Sequence, residues 1–387
     1  MTRGTDITDL RKMYSTPLPC DFPQNLLLNF QRSNEDLRYG ENPHQQGAIY
    51  SYNRRVIDLL NLKIIKAGKG GLSATNRLDI ANSFTILKYF PQPSVVVMKH
   101  INPAGFSTGF NTQTTLENLF ISAWESDKRS AYGSIVVFNR SIDKATAEAM
   151  HKKYIEVLVA PEFEEGVLEK FRDKEKLRIL TFSNLHQLPK FLGDNVAGLY
   201  DIRSTFDGEV FIQTPYLSRV REASDIIFDA MSKDDNENYH LVKKDPTERE
   251  IEDLLTAWRI NIGVRSNGIV LVNNNSALAI GSGQQERVGS VEQAIVKGFQ
   301  KRAYSRGIKH DPLKGIEDIV SHNFLRGAVC SSDGFFPKRD SIDTLARIGV
   351  SAIIQPGGSE NDSEIIDAIN ENNMAMGITS QRAFRHF

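Results

Sequence analysis

The stretches SVVVM at positions 94–98 and SIVVF at positions 134–138 decide the fold class of this chain. Each is a short run of mostly β-branched, apolar residues without polar alternation, which is typical of a strand buried on both faces of a sheet. Between them, residues 116–125 carry apolar side chains at helical spacing and predict a crossover helix. Buried strands joined by helices indicate an α/β fold.

The alternation of helix and strand continues towards the C-terminus. We expect a helix over 143–154, a strand over 155–160 and a helix over 161–172. A hairpin is predicted from strands at 268–272 and 277–280. The last predicted elements are a helix over 341–348, a strand over 351–354 and a helix over 363–370.

A second unit is predicted to start after the polar stretch KDDNEN (233–238). Its helix is expected to be capped by Asp245, with Pro246 in its first turn and Glu248 three residues after the cap. Four apolar residues of this helix fall on one face: Ile251, Leu254, Leu255 and Trp258.

The length of 387 residues favours two domains or one duplicated unit. We expect an N-terminal arm over 1–35, a first unit over 36–200, a connecting segment over 201–240 and a second unit over 241–387, with ordered structure beginning near Asp36. VVVMKHINPAG (95–105) and VSAIIQPGGS (350–359) both run from a strand into a Pro/Gly loop. This faint echo fits a duplicated architecture.

Composition excludes several classes of function. The net charge of -1 and the pI near 6.7 give no basic field for nucleic acid. The two cysteines, Cys20 and Cys330, have no metal-ligand spacing. We find neither a signal peptide nor an apolar run long enough to span a bilayer, so the expected location is the cytoplasm.

Lys99 and His100 follow a predicted buried strand directly. Histidine can take up a proton near neutral pH, and lysine offers a positive charge or a donor, so the pair could perform acid–base chemistry. The alternative is that they are two polar residues where a strand meets solvent.

Two further segments could bind a phosphorylated ligand. Arg38 and Tyr39 offer a guanidinium group and a hydroxyl that could bind phosphate. The alternative is that they belong to an ordinary loop without a binding role. The C-terminal segment RAFRHF (382–387) contains Arg382, Phe384 and His386, whose side chains would share one face in an extended conformation. The alternative is a frayed tail. The glycine loops GKGG (68–71) and GSGQQER (281–287) complete no phosphate-binding fingerprint.

Taken together, the segments resemble the transformylase portion of the AICAR transformylase/IMP cyclohydrolase family from about Asp36 onwards. The motifs that carry the resemblance are RYGENPHQ (38–45), LSATNRLD (72–79), VVMKHINPAG (96–105), SAYG (130–133), VLVAPEF (157–163), TAWR (256–259), RSNGIVLV (265–272), IGSGQQER (280–287), SDGFFPKRD (332–340), IIQPGGS (353–359) and RAFRH (382–386).

The resemblance implies two similar three-layer α/β/α subdomains of the cytidine-deaminase type, without zinc or another catalytic metal. It also implies a homodimer with shared active sites, AICAR as substrate and 10-formyltetrahydrofolate as formyl donor. The implied catalytic residues are Lys99, His100 and His386. The implied AICAR-binding residues are Arg38, Tyr39, Asn76, Gly133, Glu156, Asn267, Arg382 and Phe384. The implied folate-binding residues are Tyr132, Arg287, Val288, Phe336, Pro337 and Asp340.

The chain departs from the family pattern in two ways. The family's N-terminal cyclohydrolase domain has no counterpart in the sequence, so we expect formation of FAICAR here and ring closure by a separate IMP cyclohydrolase. Lys338 and Ser341 differ from the residues common in relatives, beside the implied folate pocket.

Two other functions remain open: AICAR formylation with another one-carbon donor, such as formyl phosphate, and non-catalytic AICAR binding. A zinc deaminase is disfavoured because the Cys/His ligand set is missing.

Overall fold

The structure, a computed structural model, describes residues 4–16, 19–33, 37–53, 58–109, 114–305 and 324–386. The elements of the first half are β1 (Thr5–Asp6), α1 (Leu10–Ser15), β2 (Gln31–Arg32), β3 (Tyr50–Ser51), β4 (Lys63–Lys66), α2 (Ala74–Leu87), β5 (Ser94–Lys99), β6 (Asn102–Thr108), α3 (Leu116–Ser126), α4 (Lys128–Ala131), β7 (Ser134–Phe138), α5 (Lys144–His151), β8 (Ile155–Ala160), α6 (Val167–Lys170) and β9 (Arg178–Thr181).

The second half is built in a similar way. Its elements are β10 (Asp201–Ser204), β11 (Val210–Gln213), β12 (Ala230–Lys233), β13 (Tyr239–Leu241), α7 (Glu248–Asn261), β14 (Ile269–Asn273), β15 (Ser276–Gly281), α8 (Arg287–Ser305), β16 (Val329–Ser332), α9 (Asp340–Arg347), β17 (Ala352–Gln355), α10 (Asp362–Glu371) and β18 (Ala375–Ile378).

One mixed sheet of 11 strands organises the described residues, in the order β18-β17-β16-β14-β15-β6-β5-β7-β8-β9-β4. The order from the centre outwards is β6-β5-β7-β8-β9 on one side and β15-β14-β16-β17-β18 on the other. The last three strands of each set are parallel, and the hairpin next to them is antiparallel. The chain is therefore a topological duplication, joined where β6 meets β15.

The two halves point in opposite directions. Ser276, at the start of β15, pairs with Ser107, near the end of β6. The β5–β6 turn therefore lies at one end of the strands and the β14–β15 turn at the other. We call the end with the β5–β6 turn the site end. It also holds the starts of β7, β8 and β9 and the ends of β16, β17 and β18.

Both faces of the sheet are covered by helices. On β5, Val96 and Met98 face a core shared with α2 and α7, whereas Val95 and Val97 face a second core under α3. The apolar run over 94–98 thus lacks polar alternation because both faces are buried. A third core lies between the second-half strands and α8, α9 and α10.

The strand and helix predictions are largely confirmed, with three corrections. The helix of the second unit begins at Glu248 and is capped by Thr247 rather than Asp245, because Thr247 and Glu250 form a reciprocal capping box. The helix predicted over 161–172 is confined to Val167–Lys170. The proposed echo between 95–105 and 350–359 matches the wrong segments. By position in the strand order of the two halves, β5 corresponds to β14 and not to β17.

The N-terminal segment is part of the fold. Thr5 and Asp6 pair in parallel with Ala230 and Met231, and Ile7 is buried in the third core. The expectation that order begins near Asp36 is therefore wrong for this segment.

Candidate functional site

A tight turn projects Lys99 and His100 at the site end. Lys99 and Asn102 are paired across the hairpin, and the two residues between them have positive φ angles, 54° at His100 and 62° at Ile101. A two-residue hairpin of this kind normally uses Asn or Gly, because other side chains, β-branched ones above all, are strained there. Strain of this kind is concentrated at functional sites.

A cavity of about 330 Å³ lies beside this turn. Its lining brings together four residues implied by the family resemblance: Arg38, Tyr39, Asn76 and Glu156. We call it the nucleotide cavity. Three further cationic side chains line it: Lys69, Lys176 and Arg178.

The N-terminus of α2 opens into the nucleotide cavity. Ser73 caps the helix by accepting a hydrogen bond from the Asn76 backbone N–H, and the Asn76 side chain accepts one from the Ser73 N–H. Partial positive charge at a helix N-terminus favours anions, as do the cationic side chains around it. A phosphate monoester therefore fits this cavity.

Residues at the starts of β7 and β8 connect the nucleotide cavity to the β5–β6 turn. The Gly133 N–H donates to the Tyr154 carbonyl at 2.9 Å. A Cβ on Gly133, whose φ is 71°, would lie 3.6 Å from a Glu156 carboxylate oxygen. Lys99 Nζ donates to the Tyr132 carbonyl at 2.6 Å. Gly133 thus leaves room beside Glu156, and Lys99 is fixed to the same segment.

A second cavity, of about 580 Å³, is also lined by Lys99 and His100. Its wall from α8 contributes Lys297 and Lys301, and the Lys301 ammonium is 3.2 Å from the Asp127 carboxylate. Burial lowers the pKa of Lys301 to about 8, and Asp127 opposes this shift. The cavity is polar and carries more positive than negative side chains, which favours an anionic ligand.

The remaining implied residues gather around Asp333, which is fully buried just after β16. Its carboxylate pairs with the Arg287 guanidinium and accepts a hydrogen bond from the Ser266 hydroxyl. Asn267 follows Ser266, and its side-chain amide donates to the Gln284 carbonyl at 2.9 Å. We call this group the Asp333 cluster.

The C-terminal segment packs against the Asp333 cluster. The Phe384 ring lies 4.8 Å from the Arg382 guanidinium and 5.9 Å from that of Arg287. The His386 ring stands edge-on to Phe384 at 5.9 Å. A Cβ on Gly334 would come within 2.5 Å of both Arg287 and Phe384, so this approach requires glycine.

The other implied folate residues lie near this cluster but differ in accessibility. Phe336 is fully buried in the third core, and its N–H donates to the Gln355 side chain. Pro337 is exposed, and Asp340 begins α9. Val288, in the first turn of α8, is half-buried. The departures Lys338 and Ser341 are exposed and fully buried, respectively.

The structure therefore arranges the implied residues as two groups at the site end. The first group consists of Arg38, Tyr39, Asn76, Lys99, His100, Tyr132, Gly133 and Glu156. The second group consists of Asn267, Arg287, Val288, Phe336, Pro337, Asp340, Arg382, Phe384 and His386. The groups approach each other at the turn, where the Arg265 N–H donates to the Asn102 side chain at 3.0 Å and Phe384 shares a cavity with Ile101.

Sequence reasoning missed four residues that line the nucleotide cavity beside the first group. Lys69 could have been predicted from the sequence, because the GKGG loop leads into the capped helix α2. Lys176 and Arg178 sit in no recognisable motif and reach the cavity only because β9 lies beside β8. The Tyr154 ring packs against that of Tyr132 at a tilt of 39°, with ring centroids 4.8 Å apart.

Within the described ranges, no cluster of His, Cys, Asp and Glu side chains could hold a metal ion. In the same part of the chain, no helix combines the length and apolar character needed to cross a membrane.

Comparison with known proteins identifies relatives across most of the chain. The sequence model of the AICARFT/IMPCHase bienzyme family matches residues 8–297. Three similar curated proteins are each named bifunctional purine biosynthesis protein PurH. The protein of Caldicellulosiruptor saccharolyticus is 36% identical over 91% of this chain and 59% of its own length. The protein of Acetivibrio thermocellus is 33% identical over 95% of this chain and 62% of its own length. The protein of Aquifex aeolicus is 32% identical over 91% of this chain and 59% of its own length. The chain thus spans about three fifths of the length of these relatives.

Proposed function

Because the chain belongs to the AICARFT/IMPCHase bienzyme family, we propose that it transfers a formyl group from 10-formyltetrahydrofolate to the 5-amino group of AICAR in the cytoplasm. The products are FAICAR and tetrahydrofolate, and an IMP cyclohydrolase activity acts on FAICAR. The observation that carries the proposal is the cationic nucleotide cavity, which lies at the same end of the sheet as the strained His100–Ile101 turn.

The nucleotide cavity supports AICAR as the acceptor. Its phosphate lies among Arg38, Lys69, Lys176 and Arg178 at the N-terminus of α2. Glu156 accepts hydrogen bonds from hydroxyl or amide groups of the nucleotide. This arrangement directs the heterocycle along Gly133 towards the catalytic turn.

The reaction forms one C–N bond and breaks another. The 5-amino nitrogen attacks the formyl carbon, and His100 accepts a proton from that nitrogen. Lys99 stabilises the negative charge on the formyl oxygen, with His386 assisting. The bond from the formyl carbon to folate N10 then breaks, and N10 receives a proton from Lys99 or from protonated His100 as tetrahydrofolate leaves. Acid–base catalysis of this kind contributes about 10²- to 10⁴-fold in rate.

The second cavity supports an anionic formyl donor, because Lys297 and Lys301 fit the carboxylates of a folate. Lys99 and His100 line the second cavity. Lys99 also donates to the Tyr132 carbonyl, next to Gly133 and Glu156 of the first group, so in our proposal the pair lies between the two substrates. In our proposal the folate also contacts Tyr132, Arg287, Val288, Phe336, Pro337 and Asp340. Phe336 contributes through its backbone, since its ring is buried.

The proposal extends to the assembly and the fold. The protein acts as a homodimer in which Asn267, Arg382, Phe384 and His386 of one subunit complete the site of the other. Units over 36–200 and 241–387 follow a three-layer cytidine-deaminase-like plan without zinc, after an arm over 1–35 and joined by 201–240.

The proposed function is tested by mixing the purified protein with AICAR and 10-formyltetrahydrofolate and following tetrahydrofolate formation. We expect turnover, and a loss of kcat of at least about 10²-fold in Lys99→Ala and in His100→Ala. Lys152→Ala, at an exposed position that lines neither of these two cavities, serves as the control. AICAR binding without tetrahydrofolate formation would contradict the proposed reaction.

A further inference from the structure

We propose that Asp79 is a positioning residue that holds His100 in its reactive orientation by fixing the β5–β6 turn. This inference rests on the proposed function, since it assigns a role to a side chain behind the proposed base. Asp79 is the last residue of the LSATNRLD motif (72–79), but it is neither one of the implied site residues nor part of a cavity lining described above.

Asp79 lies on α2, directly behind the turn. Its side chain is buried, and its carboxylate accepts a hydrogen bond from the Ile101 N–H at 2.5 Å. Burial raises the pKa of the Asp79 carboxyl, whereas the N–H groups of Ile101 and His100 and the His100 side chain oppose that shift. Asn82, one helical turn further on, donates to the Ile101 carbonyl at 2.6 Å and to the Gly263 carbonyl at 3.0 Å. The turn is therefore held at both its N–H and its carbonyl.

The second half of the chain contains the same arrangement of a helix carboxylate and a strand turn, 174 positions later. The helix cap Ser73 corresponds to Thr247, Asn76 of the capping box to Glu250, and Asp79 to Asp253. The Asp253 carboxylate accepts hydrogen bonds from the N–H groups of Asn274 and Asn275, at 3.1 and 2.6 Å. The sequence separation from carboxylate to turn is 22 residues in both halves.

The two turns differ in the residues that they hold. Asn274 and Asn275, with φ angles of 50° and 58°, are residues that tolerate the left-handed region. In the first turn Ile101 adopts the same backbone, although a β-branched residue strongly disfavours it. The first turn therefore depends more on its buried carboxylate than the second. The second turn points to the opposite end of the sheet, away from the site.

This contrast predicts which kinetic constant Asp79 controls. The nucleotide phosphate is held by Arg38 and Arg178 rather than by the turn, so loss of Asp79 leaves nucleotide binding largely intact. Misplacement of His100 by about 1 Å lowers the rate of the chemical step by up to about 10²-fold.

The experiment compares Asp79→Ala and Asp79→Asn with the matched pair Asp253→Ala and Asp253→Asn. We expect Asp79→Ala to lower kcat by about 10- to 100-fold with little change in KM for AICAR. Asp79→Asn recovers part of kcat, because its amide oxygen still accepts one N–H. The Asp253 variants lose at least as much thermal stability, since Arg249 also loses its partner, yet they keep kcat.

A second measurement does not need turnover. Hydrogen–deuterium exchange in Asp79→Ala should accelerate at the amides of 100–102, and in Asp253→Ala at those of 274–276. Glycine adopts positive φ without strain, so in an Ile101→Gly background the effect of Asp79→Ala on kcat should shrink.

The outcomes separate the inference from the function. If the wild-type protein forms no tetrahydrofolate, the proposed function fails, and exchange at the turn still tests whether Asp79 holds it. If the wild type turns over and the Asp79 and Asp253 variants lose kcat equally, Asp79 is only structural and the inference is overturned. Unchanged exchange at 100–102 would overturn it as well.

Discussion

Arg178 connects the nucleotide cavity to the fold. Its side chain is buried and donates to the carbonyls of Gly71 and Lys69, at 2.7 and 2.9 Å. These bonds fix the GKGG loop that precedes α2, while the guanidinium keeps its charge at the cavity wall. A lysine could supply the charge but not the planar fork that reaches both carbonyls.

We therefore predict that Arg178→Lys raises KM for AICAR by about 10- to 100-fold, because a charge-assisted hydrogen bond is worth about 1.5–3 kcal/mol. Steady-state kinetics with varied AICAR measures this effect. Arg172→Lys, at an exposed position in the preceding loop, is the control. Equal KM values in both variants would contradict the assignment of Arg178 to phosphate binding.

At this scale the sequence predicts the residues that stand in distinctive motifs. Arg38, Asn76 and Lys99 were identified in this way, and the structure places them around one turn and one cavity. Arg178 could not be identified, because it is one cation in an ordinary strand sequence and gains its role from the pairing of β9 with β8. Nor does any local pattern show that Asp79 faces a turn 22 residues away.

Among the helices, α10 begins with a buried carboxylate. Asp362 accepts a hydrogen bond from the Gly358 N–H at 2.7 Å, but its other oxygen is buried without a hydrogen-bond partner. Burial raises the pKa of Asp362 from 3.8 to about 6, against the pull of the Gly358 and Ser359 N–H groups. Ionisation of Asp362 is thus less favourable in the folded protein than in the unfolded chain.

A carboxyl whose pKa is raised by folding stabilises the protein below pH 4, and this contribution is lost as the pH rises through about 6. We predict that the free energy of unfolding of the wild type, relative to Asp362→Asn, falls by about 1–3 kcal/mol between pH 4 and 7. Urea titrations at several pH values measure it. Glu364→Gln, which removes an exposed carboxylate from the same turn, controls for loss of charge, and a parallel pH dependence in Asp362→Asn would contradict the prediction.

The elements themselves were predictable wherever one physical cause dominates. Strands buried on both faces are apolar throughout, and so β5, β7 and β8 could be read directly. The start of α7 was misplaced because Asp245 and Thr247 are both good caps, and only the reciprocal bond to Glu250 decides between them. The duplication could not be detected in the sequence, because corresponding positions have the same role but different residue types. The cap Ser73 corresponds to Thr247, and Asn76 corresponds to Glu250.

Across the whole molecule, the two groups of implied residues lie at one end of a single sheet. Lys99 belongs to the first group, and Arg382 to the second, beside the Asp333 cluster. The proposed homodimer places the second group of one subunit against the first group of its partner. This arrangement makes a clear prediction about mixed subunits.

Coexpressed Lys99→Ala and Arg382→Ala subunits should regain about one quarter of the wild-type activity. The reason is that half of randomly formed dimers are mixed, and each of these has one intact site. Tetrahydrofolate formation is measured on differently tagged, coexpressed chains, alongside each variant alone.

Lys99→Ala with His100→Ala is the matched control. Both lesions then lie in the first group, so every site carries one of them and activity should stay absent. No recovery in the Lys99/Arg382 mixture, with mixed dimers isolated through both tags, would contradict shared active sites.

The pairing of Thr5 and Asp6 with β12 also bears on how the chain is made. The partners of this first strand, Ala230 and Met231, leave the ribosome long after it, by roughly 10–45 s at ordinary rates of synthesis. During that interval Ile7 and Leu10 have no core to enter. Residues translated long before β12 are thus among the last that can complete the native structure, and a nascent chain interrupted before β12 leaves them exposed to chaperones and proteases.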